Sequence, residues 1–199
     1  MKIKNILIII FITPLTILGS NLEFPDSTGK IVSRSQEYVI RLVETPGRDF
    51  KTGEALFLVK GSPIACYKVI SDFKHYPEFM PNVRFAEFVG KKDSCDIYRF
   101  NFRVGFTTIH YSNIIKQRSL DNGDYAITWG YVNGDLKENF GSWDIAFYHQ
   151  RAGYSIVRYK VFIDIGMFMP CWVRDLLMTK SIPKMIKAIG KRVEMTEAR

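Results

Sequence analysis

The segment that most constrains this chain is its last, residues 170–195. Leu176, Ile182, Ile186, Ile189 and Val193 recur mostly every three or four residues, the apolar stripe of a helix lying on a greasy partner. Lys180, Lys184, Lys187 and Lys191 repeat at the same interval on another face. Pro170 suits a first helical turn, which has no intrahelical N–H bond to lose. Pro183 falls in the interior and should kink the rod or split it in two. A helix of about 26 residues spans roughly 39 Å, so a small domain has to be built around it.

What precedes the rod reads as strand. Over residues 96–104, Tyr98, Phe100, Phe102 and Val104 alternate with Arg99, Asn101 and Arg103, giving one buried and one wet face. Residues 83–89 and 107–118 are two further runs, the second with Ile109, Tyr111, Asn113 and Ile115 on one side. Ile127, Trp129 and Tyr131 are in phase over 125–132, and Trp143, Ile145 and Phe147 over 138–148. Val157, Tyr159, Val161 and Ile163 share a face over 154–164. Gly- and Asn-rich turns separate these runs. Upstream, residues 38–44 and 54–60 make a hairpin around Thr45-Pro46-Gly47-Arg48-Asp49. Ser62-Pro63 then caps and starts a helix ending near Asp72, and Pro77 and Pro81 leave room for about one more helical turn. The expected order is two strands, two short helices, six strands and one long helix. Short turns between strands make the sheet antiparallel and strongly curved, an α+β domain whose concave face the long helix closes.

A chain of 199 residues is one domain, and 47% hydrophobic residues give it ample core. Residues 1–20 carry Lys2 and Lys4, an apolar run of about 13 residues and small Gly19 and Ser20, the layout of a secretory signal peptide. The run is short of the roughly 20 residues that span a bilayer. Leu18 is a poor fit three residues before a cut after Ser20, so an uncleaved N-terminal anchor is the alternative. Residues 21–35 read as a polar linker and 36–199 as the domain. The expectation is export to a periplasm or the extracellular space. Formal charge is +8, or +6 without Lys2 and Lys4. Such a balance suits an anionic membrane surface or plain solubility, and export argues against nucleic acid. Cys66, Cys95 and Cys171 have no metal-ligand spacing; they read as small buried hydrophobes, with one disulfide as the alternative.

Residues 64–89, IACYKVISDFKHYPEFMPNVRFAEFV, place Asp72, Phe73, Tyr76-Pro77, Phe79 and Pro81 after an apolar helix. Further on stand Gly134, Gly141 two residues before Trp143, Asp164 and Gly166, then Pro170, Trp172 and Ser181-Ile182-Pro183. Over about residues 35–195 the chain resembles the START-like superfamily, in its branch of polyketide cyclase/dehydrase-like and coenzyme-Q-binding proteins. The resemblance implies a helix-grip fold, a sheet wrapped around the C-terminal helix with an apolar cavity inside. It implies no cofactor and carries over no catalytic residue. Where exported lipid-transfer-like members often have Pro-Gly-Gly, this chain has Ile165-Gly166-Met167-Phe168.

The residues themselves show no nucleophile elbow, phosphate loop or zinc-type His pair. His75, His110 and His149 are scattered, and Asp144 and Asp164 fall out of phase with the apolar faces, hence wet. What remains is a pocket: Tyr98, Phe100, Phe102, Tyr111, Trp129, Trp143 and Tyr159 on the concave face, with Trp172, Leu176 and Ile186 from the helix. Apolar linings with few polar groups are typical of ligand cavities; a solid aromatic core is the other way to read the same residues. Met167, Phe168 and Met169 would form an entrance lip able to dip into a membrane, with the helix lysines meeting anionic headgroups. The expected function is binding of a hydrophobic small molecule, a lipid or isoprenoid quinone, by a monomeric carrier near a membrane. The alternatives are a cyclase- or hydrolase-like enzyme using Tyr98, Tyr111 or Tyr159, and a protein-partner module resembling the ribosome-association toxins of this superfamily.

Overall fold

The computed structural model describes residues 38–166 and 180–198. Strands β1 (Tyr38–Val43) and β2 (Thr52–Lys60) form the opening hairpin. Helix α1 (Pro63–Ile70) follows, its first turn capped by the Ser62 hydroxyl, which accepts the Ala65 N–H at 3.3 Å. A 3₁₀ turn (Phe73–His75) and the single-turn helix α2 (Tyr76–Phe79) complete the insertion. Then come β3 (Val83–Lys92), β4 (Cys95–Val104), β5 (Thr107–Ser119), β6 (Tyr125–Gly134), β7 (Glu138–Phe147) and β8 (Tyr154–Asp164). The chain ends in α3 (Ile182–Glu197). This is the expected α+β order.

All eight strands form one antiparallel sheet in the order β1-β2-β8-β7-β6-β5-β4-β3. The six later strands are a plain meander. The opening hairpin does not join the neighbouring β3; it crosses to the far side and pairs with β8, from Gly53 opposite Val161 to Lys60 opposite Tyr154. Helices α1 and α2 bridge that crossover and cover the concave face. Ala55, Phe57, Phe100, Ile115, Ile127, Trp143, Ile145 and Val157 from the sheet meet Cys66, Ile70, Phe73 and Tyr76 beneath it. Burying a side chain of this size stabilises by roughly 1.5–3 kcal/mol before ordering costs.

The described part of the C-terminal rod presents Ile182, Met185, Ile186, Ile189 and Val193 inward, as its apolar stripe predicts. It packs on β2, α1 and α2. Its far end is tied down by Glu197, which accepts the Ser62 backbone N–H at 2.9 Å and the Ser62 hydroxyl at 3.0 Å. Pro183 stands in the first turn of α3, so here it opens a segment, where its missing N–H costs nothing. Residues 170–179 of the predicted rod, and the predicted signal peptide and linker, lie outside the described residues. Among the described residues no helix is long and apolar enough to cross a membrane.

The convex face corrects one expectation. Asp144 and Asp164 do point away from the concave face, yet they are 9% and 8% exposed, not wet. A second apolar cluster of Leu56, Leu58, Ala146, Tyr148 and Ile156 covers part of that surface. Asp144 survives there because Arg158 donates from Nε at 2.9 Å. Asp164 is held by Lys137 at 3.2 Å and by the Gly166 N–H at 2.8 Å.

Candidate functional site

Of the seven concave-face residues expected to line a pocket, the sheet gathers Tyr98, Phe100, Tyr111, Trp129, Trp143 and Tyr159 about the main core cluster, and Phe102 lies outside it. Tyr98 and Phe100 on β4 stand opposite Asn113 and Tyr111 on β5, and Phe102 opposite Ile109. Ile115 faces Trp129 on β6, which faces Gly141 on β7, while Trp143 faces Tyr159 on β8. The aromatics form two runs. Phe73, Tyr98, Phe100 and Tyr111 follow one another at ring separations of 5.2, 6.2 and 5.6 Å. On the other side Tyr159 lies 4.2 Å from Trp143 and 5.9 Å from Trp129.

These residues differ in how they are buried. Phe100, Trp143 and, from α3, Ile186 are fully packed and form a floor. Tyr98, Phe102, Tyr111, Trp129 and Tyr159 keep part of their surface accessible. Burial nevertheless pushes the phenols of Tyr111 and Tyr159 well above their ordinary range, with mutual repulsion between the two adding to Tyr159. Tyr98, Tyr111, Trp129 and Tyr159 pack by their inner surfaces against the main core cluster. Trp172 and Leu176, and the entrance residues Met167, Phe168 and Met169, lie outside the described residues.

Sequence reading missed the polar element of this face. Trp129 donates from Nε1 to Asn139 Oδ1 at 3.2 Å, and Asn139 donates from Nδ2 to Asn113 Oδ1 at 3.3 Å. Both asparagines are nearly sealed, at 3% and 5% exposure. The signal was present in β5, where Asn113 interrupts an apolar row, and in β7, where Asn139 is in phase with Trp143. Tyr76, a motif residue given no site role by the sequence, is buried beneath the sheet, and its hydroxyl donates to the Ile70 carbonyl at 2.5 Å and so closes the end of α1.

The histidines stay apart. His75 pairs with Asp72 at 2.6 Å, His110 Nδ1 meets Asn101 Oδ1 at 2.8 Å, and His149 lies beside Phe147. Among the described residues no three His, Cys, Asp or Glu side chains converge as metal ligands. Cys66, buried, and Cys95, half-buried, are free thiols, and Cys171 lies outside the described residues. A separate cavity of about 370 Å³ opens between the β1–β2 loop and the middle of the sheet, lined by Pro46, Thr52, Glu54, Phe140 and Lys160 among others. It touches the expected lining at Trp129 alone.

The family model for polyketide cyclase / dehydrase and lipid transport matches residues 59–189. The chain belongs to that family. Of the motif residues in this family member, Phe73 and Tyr76 pack in the core beneath the sheet, and Gly141 leaves room for the Trp129 ring. Solved structures share the fold. The STAR-related lipid transfer protein from Xanthomonas axonopodis superposes with a TM-score of 0.66 at 13% identity, over 79% of this chain and 94% of that one. Human StAR-related lipid transfer protein 5 gives 0.65 at 10% identity, over 85% and 94%. The Zhui aromatase/cyclase from Streptomyces sp. R1128 gives 0.57 at 12% identity, over 74% and 95%. No curated protein matches this family member by sequence.

Proposed function

We propose that this protein binds a hydrophobic small molecule, a lipid or isoprenoid quinone, between the concave face of its sheet and the C-terminal helix. It would carry or shield that molecule near a membrane, outside the cytosol. The observation that carries the reading is the pair Tyr111 and Tyr159, which pack on the core cluster beneath the concave face yet keep part of their surface accessible. Removing apolar surface of a ligand from water there supplies about 25 cal/mol per Å², before ordering costs. Lipid-transfer proteins among the solved structures of the same fold support the ligand class. Two features support membrane contact. Phe106, at the tip of the β4–β5 hairpin, is fully exposed, and Lys180, Lys184, Lys187 and Lys191 are all solvated.

The test is heat denaturation with and without extracted membrane lipids, joined to native mass spectrometry of protein purified from its own host. Bound ligand raises the midpoint and appears as added mass. No shift with any lipid or quinone, and no added mass, would overturn the reading. Fractionation of host cells tests export, which a cytosolic location would refute.

A second reading, cyclase-like catalysis, is favoured by the aromatase/cyclase of the same fold. Here the raised phenol pKa values limit what Tyr111 and Tyr159 could do. At neutral pH both are protonated hydrogen-bond donors, not bases. Tyr111→Phe and Tyr159→Phe separate the readings: a carrier keeps most of its ligand affinity, and an enzyme loses turnover.

A further inference from the structure

The Trp129–Asn139–Asn113 chain has a direction. An indole nitrogen can only donate, so the atom of Asn139 that Trp129 meets at 3.2 Å is the carbonyl oxygen. That fixes the other end of Asn139 as its amide nitrogen, which meets Asn113 at 3.3 Å. The atom of Asn113 turned toward Asn139 is therefore its oxygen, and its NH₂ faces elsewhere. This assignment follows from donor chemistry, so an amide flip cannot reverse it. The Asn113 NH₂ has no acceptor among the described residues, although the side chain is only 5% exposed. The hydroxyls of Tyr111 and Tyr159, on the same face, also have no acceptor among the described residues. Among the described residues the one sealed side-chain nitrogen or oxygen without a partner is Arg118 Nε, so the Asn113 nitrogen still has accessible surface. A ligand that covers it without accepting its N–H would desolvate it at a cost of about 1–3 kcal/mol, and one that accepts avoids that cost.

We propose that Asn113 reads the ligand through this fixed N–H donor, and that the ligand is an uncharged lipophile bearing an oxygen acceptor: a ketone, quinone, ester or alcohol. The inference rests on the pocket reading above. A plain hydrocarbon would leave the donor unpaired. An anion would accept the bond, but the positions flanking Asn113 on this face, Tyr98, Tyr111, Ile115 and Tyr131, offer no cation to offset its desolvation. Asn139 acts as a positioning residue, holding the Asn113 amide in one orientation.

The experiment is isothermal titration of the full chain with 2-acetylnaphthalene and 2-ethylnaphthalene, which differ in one carbonyl oxygen. The ketone should bind roughly tenfold tighter, the effect of one neutral hydrogen bond. Asn113→Leu should bring the ratio close to one by weakening the ketone alone, and Asn139→Leu should lower it part of the way. The wild-type ratio needs no variant, so it decides even if a substitution disturbs folding. Equal binding of the two by wild type overturns the donor assignment and leaves the pocket standing. A preference that survives Asn113→Leu places the donor elsewhere and overturns it too. Tighter binding of 2-naphthoate than of the ketone overturns the uncharged class. Binding of neither naphthalene removes the pocket reading and this inference with it.

Discussion

The indole of Trp129 lies across Gly141 on the neighbouring strand. A methyl group at Gly141 would overlap that ring and also the Lys160 carbonyl oxygen. One of the two is backbone and cannot swing aside. Gly141→Ala is therefore expected to destabilise by roughly 1–3 kcal/mol, the range for overpacking a filled site. Urea unfolding measures it, and the loss should be accompanied by a change in tryptophan fluorescence.

Asp144 and Arg158 form an ion pair on the convex face with side chains only 12% and 16% exposed. Replacing one partner leaves the other charge poorly solvated. Asp144→Ala removes one charge-assisted hydrogen bond to Arg158 and should cost about 1.5–3 kcal/mol. The exposed pair of Lys51 with Glu44 is the control; Lys51→Ala should cost at most about 1 kcal/mol. Equal losses in the two variants would contradict the burial argument.

Tyr76, Tyr111 and Tyr159 all have phenols raised above 10 by burial. A raised acid stays protonated in the folded state while its unfolded counterpart ionises. Stability should thus be insensitive to these groups below pH 10 and fall above it. The slope is up to about 1.4 kcal/mol per pH unit for each phenol. Absorbance titration of tyrosinate should show these residues ionising late, and only on unfolding.

Burial also pushes the Cys66 thiol up to about 12. At pH 8 its thiolate is scarce as well as inaccessible. Alkylation of Cys66 should run at least about a hundredfold slower than that of the half-buried Cys95. Peptide mapping by mass spectrometry resolves the two sites, and comparable rates would show the α1 environment to be open.

Much of the sheet was legible because meander strands such as β4 have one wetter face, so period-two alternation marks both their extent and their inward side. Tyr98 and Phe100 were placed by that rule, and the stripe of α3 by its helical counterpart. The rule failed where the convex face is covered. Asp144 reads as a solvated position unless one knows that Leu56 and Leu58 lie under the same cluster as Ala146. The continuous apolar run Ala55–Val59 was the clue, since a strand buried on both faces stops alternating. The Asn113–Asn139 link was illegible for a different reason. It joins side chains on β5 and β7, and which strands come near one another is fixed by register, not by local pattern. The crossover of β2 to β8 escaped for the same reason.

That crossover has a consequence for how the molecule comes into being. Glu54 on β2 waits for Lys160 on β8, far along the chain, and contacts so distant make folding slow. A nascent polypeptide halted before Tyr154 would have a hairpin with no neighbour, and a meander missing its last rung. The sheet is zipped shut only once β8 has been made. Until then the apolar residues of β2 lack the β8 partners that cover them in the finished sheet.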